Sequence, residues 1–62
     1  MPLIEVKAFA GRFADPEQTE KLIAGLTDAL CEVFGEEVRA ETWVVVEGVE
    51  SSNWGFGGEV RK

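Results

Sequence analysis

The chain predicts an α/β protomer: one β-α-β unit followed by a C-terminal hairpin or arm, whose core is completed only by a second copy. Three observations carry this expectation. An apolar strand opens the chain, a capped amphipathic helix follows it, and a β-branched run comes after the helix, all within 62 residues.

Leu3 to Phe9 reads as the first strand, with Ile4, Val6 and Ala8 on one face and Glu5 and Lys7 on the other beside Leu3 and Phe9. Gly11, Arg12 and Phe13 then form a turn. Asp15 is a preferred N-cap, Pro16 suits the first helical position, and Gln18 occupies the capping-box position. From Pro16 to Phe34, Leu22, Ile23, Leu26, Ala29, Leu30, Val33 and Phe34 recur at helical spacing, while Lys21, Asp28 and Glu32 fall on the other side. Gly35 supplies the stop. Cys31 lies roughly 125° from the centre of the apolar stripe at about 100° per residue, which assigns it to the surface or an interface. With no His in the chain it has no partner to make it a nucleophile.

Thr42 to Glu47 holds Trp43, Val44, Val45 and Val46, a run without polar alternation that suits a strand covered on both faces. Two strands joined through a helix pair in parallel with a right-handed crossover. One helix covers one face of a two-stranded sheet, so the second apolar face requires another copy. The tail, with Trp54 and Phe56 among Gly55, Gly57 and Gly58, is too apolar for a disordered end and reads as a hairpin or arm packed on a neighbouring subunit. Its glycines are not a phosphate loop, because no Lys-Ser/Thr ending follows. Residues 1–62 make one domain.

Size reinforces the need for a partner. A chain of 6.8 kDa gains roughly 90 kcal/mol from apolar burial, against an ordering cost of about 93 kcal/mol. A single Cys allows no internal disulfide, and no Cys/His cluster exists for a metal, so self-association is the remaining device.

The net charge of -6, with six scattered Lys and Arg, argues against nucleic acid or an anionic membrane as a partner. No apolar run approaches the roughly 20 residues of a membrane span, and a soluble cytoplasmic protein is the expectation. Acidity also means that an anionic substrate needs local cations.

With no His and no Tyr, the ordinary bases for neutral pH are absent. What remains is carboxylates, a few cations and Pro2. A small residue after Met1 favours removal of the methionine, which makes Pro2 a secondary amine able to accept a proton. A retained methionine turns it into a non-basic amide.

The Met1-Pro2 start, the strand running into Gly11-Arg12, the Asp-capped helix, the valine-rich second strand and the tail Asn53-Trp54-Gly55-Phe56-Gly57-Gly58 together resemble the tautomerase superfamily. Its short 4-oxalocrotonate tautomerase (2-hydroxymuconate tautomerase) group is the nearest match. The resemblance covers essentially the whole chain and implies a four-stranded sheet with two helices per dimer, assembled as a homohexamer, a trimer of dimers. It further implies that Pro2 is the general base or base-then-acid, moving a proton in a small unsaturated 2-hydroxy or 2-keto acid without metal or cofactor. Arg12 matches the arginine that binds the substrate carboxylate, and a guanidinium fork suits that pairing. Trp54 takes the place of the family's active-site aromatic.

One departure stands out. The family's second arginine falls eleven positions before the tail aromatic, and here that position is Trp43. Arg39, in the loop after the helix, is the candidate replacement for substrate binding, with the Trp43 indole or Asn53 amide as uncharged donors. Loss of that arginine also leaves open a dehalogenase or hydratase, for which Glu5, Glu41 and Glu47 are available carboxylates. An inactive oligomeric subunit, or a hetero-oligomer whose second arginine comes from another gene product, are the remaining alternatives.

Overall fold

The computed structural model describes residues 1–60. Leu3–Phe9 forms β1, Pro16–Phe34 forms α1 and Trp43–Val49 forms β2. β1 and β2 pair in parallel, from Leu3 opposite Trp43 to Phe9 opposite Val49, as the helical connection requires. β2 runs two residues beyond the expected end because Gly48 and Val49 continue the ladder opposite Ala8 and Phe9. Three 3₁₀ turns, Ala10–Phe13, Glu36–Glu41 and Ser51–Asn53, follow β1, α1 and β2 in turn.

Both ends of α1 are set by the residues read from the sequence. Asp15 Oδ1 accepts the Glu17 backbone N–H at 2.9 Å, satisfying one of the helix's orphan donors. At the other end Gly35 takes φ 100°, where an L side chain is strained, and its N–H donates to the Cys31 carbonyl at 2.8 Å. The chain then folds back as the 3₁₀ turn Glu36–Glu41 against α1. That return corrects the placement of Cys31. It is the most buried of the described residues, at 8% exposure, because the folded-back turn covers the flank of α1 that periodicity assigned to the surface.

The sheet has one covered face and one open face. Ile4, Val6 and Ala8 on β1, with Val44 and Val46 on β2, are half-buried on the α1 side. Leu3 and Phe9, with Trp43 and Val45, are exposed on the other, Trp43 at 56%. Near the middle of that open face Lys7 Nζ donates to Glu47 Oε1 at 2.6 Å. Hydrogen bonding to Glu47 raises the Lys7 pKa from its ordinary 10.5. A raised amine pKa stabilises the fold below the unfolded value and is lost as pH climbs through the folded one, so this pair fades only above about pH 10.5.

The tail forms the expected hairpin. β3 (Gly55–Phe56) pairs antiparallel with β4 (Glu59–Val60) across Gly57 and Gly58. Their φ values of 63° and 88° are the two positive angles that a type I′ turn demands.

The protomer is open. Its radius of gyration is 14.4 Å, against about 11 Å for a compact chain of this length. Its accessible surface is 4825 Å², against roughly 4,000 Å² for a compact monomer of this mass.

Gly48 lies where the chain crosses back over β2. A Cβ there would sit 2.9 Å from the Ala10 Cα, a backbone atom that cannot step aside. Gly48→Ala is therefore expected to destabilise by about 1–3 kcal/mol. Gly25, within α1, faces open space, and Gly25→Ala is expected to stabilise by up to about 1 kcal/mol. Urea midpoints at one fixed protein concentration check both signs.

Candidate active site

The residues singled out in the sequence fall at two ends of the sheet. β1 spans roughly 20 Å, with Pro2 immediately before it and Arg12 beyond it in the turn Ala10–Phe13. The structure thus keeps Pro2 and Arg12 of one chain apart, and it brings Arg12 and Trp54 to the same end.

At the Pro2 end, the Trp43 N–H donates to the Pro2 carbonyl at 3.0 Å, extending the ladder by one bond and fixing the chain start against β2. Pro2 lines an open cleft of about 580 Å³ with Met1, Phe34, Val38 and Glu41. The helix end supplies Phe34 and the following 3₁₀ turn supplies Val38 and Glu41. Four of these five side chains are apolar, so a proline amine exposed here would face a poorly solvating wall. The sequence offers Glu41 only as one of several carboxylates and carries no signal for Val38. Their place depends on the fold-back after Gly35.

Trp43, at the position of the missing arginine, stands opposite Leu3 on the open sheet face. Arg39 is committed elsewhere. Its Nε donates to Glu36 Oε1 at 2.5 Å, and its Nη2 lies 2.8 Å from Asp28 Oδ1. Bonding to these two carboxylates, Glu36 first, pushes its pKa well above the ordinary value and keeps it fully charged. Of the available carboxylates, Glu47 is held by Lys7, Glu5 lies on β1 outside the cleft lining, and Glu41 lies in the cleft.

At the opposite end, the turns leaving β1 and β2 carry Arg12 and Asn53, and Trp54 follows directly. The Trp54 indole Nε1–H donates to the Val49 carbonyl at 3.0 Å. Its ring packs on Phe9 with centroids 4.7 Å apart and stacks with Phe56 at 6.5 Å. One indole is thereby pinned by a hydrogen bond and two rings. Among the described residues Arg12 forms no ion pair, leaving its planar donor fork open to an anion.

Fold and geometry together define a βαβ unit that carries Arg12, without an ion pair among the described residues, and the apolar proline cleft at opposite ends of one sheet. The family of tautomerase enzymes matches residues 2–62. The chain belongs to that family. It is also similar to the probable tautomerase K2 of Dickeya dadantii (strain 3937), with 46% identity over 43 residues. That match covers 69% of this chain and 63% of the relative, so it spans less than two thirds of the relative's length. No solved structure matches significantly.

Trp54→Phe keeps the ring stack and removes the bond to Val49, so a loss of about 1 kcal/mol is expected. Trp54→Ala loses the stack as well and is expected to cost more. Thermal denaturation of both at one protein concentration checks the order.

Proposed function

We propose that the protein is a cofactor-independent tautomerase acting on small unsaturated 2-hydroxy or 2-keto acids of the 2-hydroxymuconate kind, with Pro2 as the proton carrier once Met1 is removed. The observation that carries the reading is the placement of Pro2 in an apolar cleft in a chain of the tautomerase family. An α-amino group titrates near about 8, and an apolar wall favours its neutral form, which brings the base toward working pH. The neutral amine takes a proton from the enol hydroxyl or an acidic C–H. The electron pair delocalises through the conjugated acid, and the ammonium returns the proton to another carbon. Atoms and charge balance without a co-reactant.

The substrate carboxylate is held by Arg12, whose fork can accept it in bidentate fashion. Because β1 separates Pro2 from Arg12 within one chain, the working site takes Pro2 from one copy and Arg12, with the Trp54 wall, from a neighbour. Self-association, as a dimer of βαβ units or a hexamer built from such dimers, then completes both the core and the site. Arg39 enters only by exchanging Asp28 or Glu36 for the substrate.

Glu41 favours a second reading, hydration or hydrolytic dehalogenation, because it is a carboxylate in the proline cleft that could activate water. Chloride release from a 3-haloacrylate, outpacing 2-hydroxymuconate turnover, would replace isomerisation by that reaction.

Intact-mass measurement is expected to show loss of one methionine residue, and the processed protein to turn over 2-hydroxymuconate. Pro2→Ala should lower kcat/KM by about 10²-fold or more, as expected for loss of a positioned general base. Equal rates would end the case for proline catalysis. Arg12→Ala should act mainly on KM. Mixing the two variants and reassembling them should restore, at low substrate concentration, about a quarter of wild-type kcat/KM, since random assembly gives one site in four both intact groups. No recovery on mixing would place both groups in one chain's site.

A further inference from the structure

We infer that, within this substrate class, the Pro2 cleft favours unsaturated acids with a single carboxylate and an apolar far end over dicarboxylates such as 2-hydroxymuconate, and that Glu41 is the residue that disfavours a second carboxylate. The inference rests on the reading of Pro2 as the proton carrier and adds the substrate class to it.

With Met1 removed, the cleft beside the Pro2 amine is lined by the apolar Phe34 and Val38 and the negatively charged Glu41. No cation lines it. Arg39, two residues before Glu41 in the same 3₁₀ turn, points its donors at Glu36 and Asp28. Phe34 closes α1, whose last turn contains no basic residue. The partial negative charge of that helix end therefore adds to Glu41 instead of offsetting it. On the second strand Trp43 brings no charge and stands on the open sheet face. A substrate anchored by one carboxylate on Arg12 of a neighbouring copy then projects its other end toward an apolar, net-negative wall. A methyl or aryl terminus is accommodated there, packing on Phe34 and Val38, whereas a terminal carboxylate loses water without gaining a cation and meets a like charge.

The pair hexa-2,4-dienoate and hexa-2,4-dienedioate differs only in a terminal methyl against a terminal carboxylate. Both are non-reacting mimics of a conjugated acid, so binding to the full-length, Met1-processed protein can be read by calorimetry apart from turnover. The wild type is expected to bind the dienoate at least about fivefold more tightly. Glu41→Gln should lower that preference on the order of three- to tenfold, the size of one like-charge contact in a solvent-facing site. Glu41→Lys should reverse it. A wild-type preference for the dienedioate, no binding of either acid, or a preference unmoved by both variants would overturn the inference. Absence of tautomerase activity alongside an intact, Glu41-dependent binding preference would instead overturn the proton-transfer reading alone.

Discussion

One helix cannot cover both faces of two strands, and most of what is unusual in this protomer follows from that limit. α1 protects Ile4, Val6, Val44 and Val46 and leaves Leu3, Phe9, Trp43 and Val45 facing outward. No described side chain falls below 2% exposure. A chain of this length lies close to the balance point between burial and ordering entropy, so covering the open face would add stability that the lone protomer lacks. The Lys7–Glu47 pair on that face, with Glu5 beside it, sets charges among the apolar Leu3, Phe9, Trp43 and Val45, an arrangement that would favour one register of association over a slipped one.

The same geometry separates the chemistry. A β-strand is stiff and nearly fully extended, so groups at its two ends stay about 20 Å apart whatever the loops do. With Pro2 before β1 and Arg12 after it, no local rearrangement unites them. In the proposed reaction, assembly therefore does two jobs with one interface: it closes the apolar face and brings the cation of one copy to the amine of another. Stability and activity should fall together on dilution, since both depend on the same association equilibrium.

The bounds of β1 and α1 were legible in the sequence because their signals are local. Alternation, an Asp-Pro start and a Gly stop each act within a few residues, and the parallel pairing follows from chain connectivity. The type I′ turn at Gly57 and Gly58 was legible as a hairpin for the same reason. What escaped was non-local. The 3₁₀ turn Glu36–Glu41 carries no capping side chain and no helical period, so nothing in its residues announces that it folds back on α1. Its consequences escaped with it: the burial of Cys31, the Arg39 bonds to Asp28 and Glu36, and the entry of Val38 and Glu41 into the Pro2 cleft. The separation of Pro2 from Arg12, by contrast, was implicit in the strand placed between them.

Charge gives the two ends of the sheet opposite characters. The chain as a whole is acidic, at -6, which at long range opposes the approach of any anion. Against that background Arg12 stands without a carboxylate partner among the described residues, while Arg39 is neutralised by two of them. One end of the sheet thus keeps a usable cation and the other gives its own away. A substrate spanning both, across a junction between copies, would meet a positive fork at its carboxylate and an apolar, mildly negative wall at its tail. That polarity sets orientation before any proton moves. It also makes the neutral state of the proline harder to keep than apolar burial alone suggests, because the Glu41 carboxylate favours the ammonium form. In this reading the balance between the apolar wall and Glu41 tunes Pro2 both to accept a proton and to give it back.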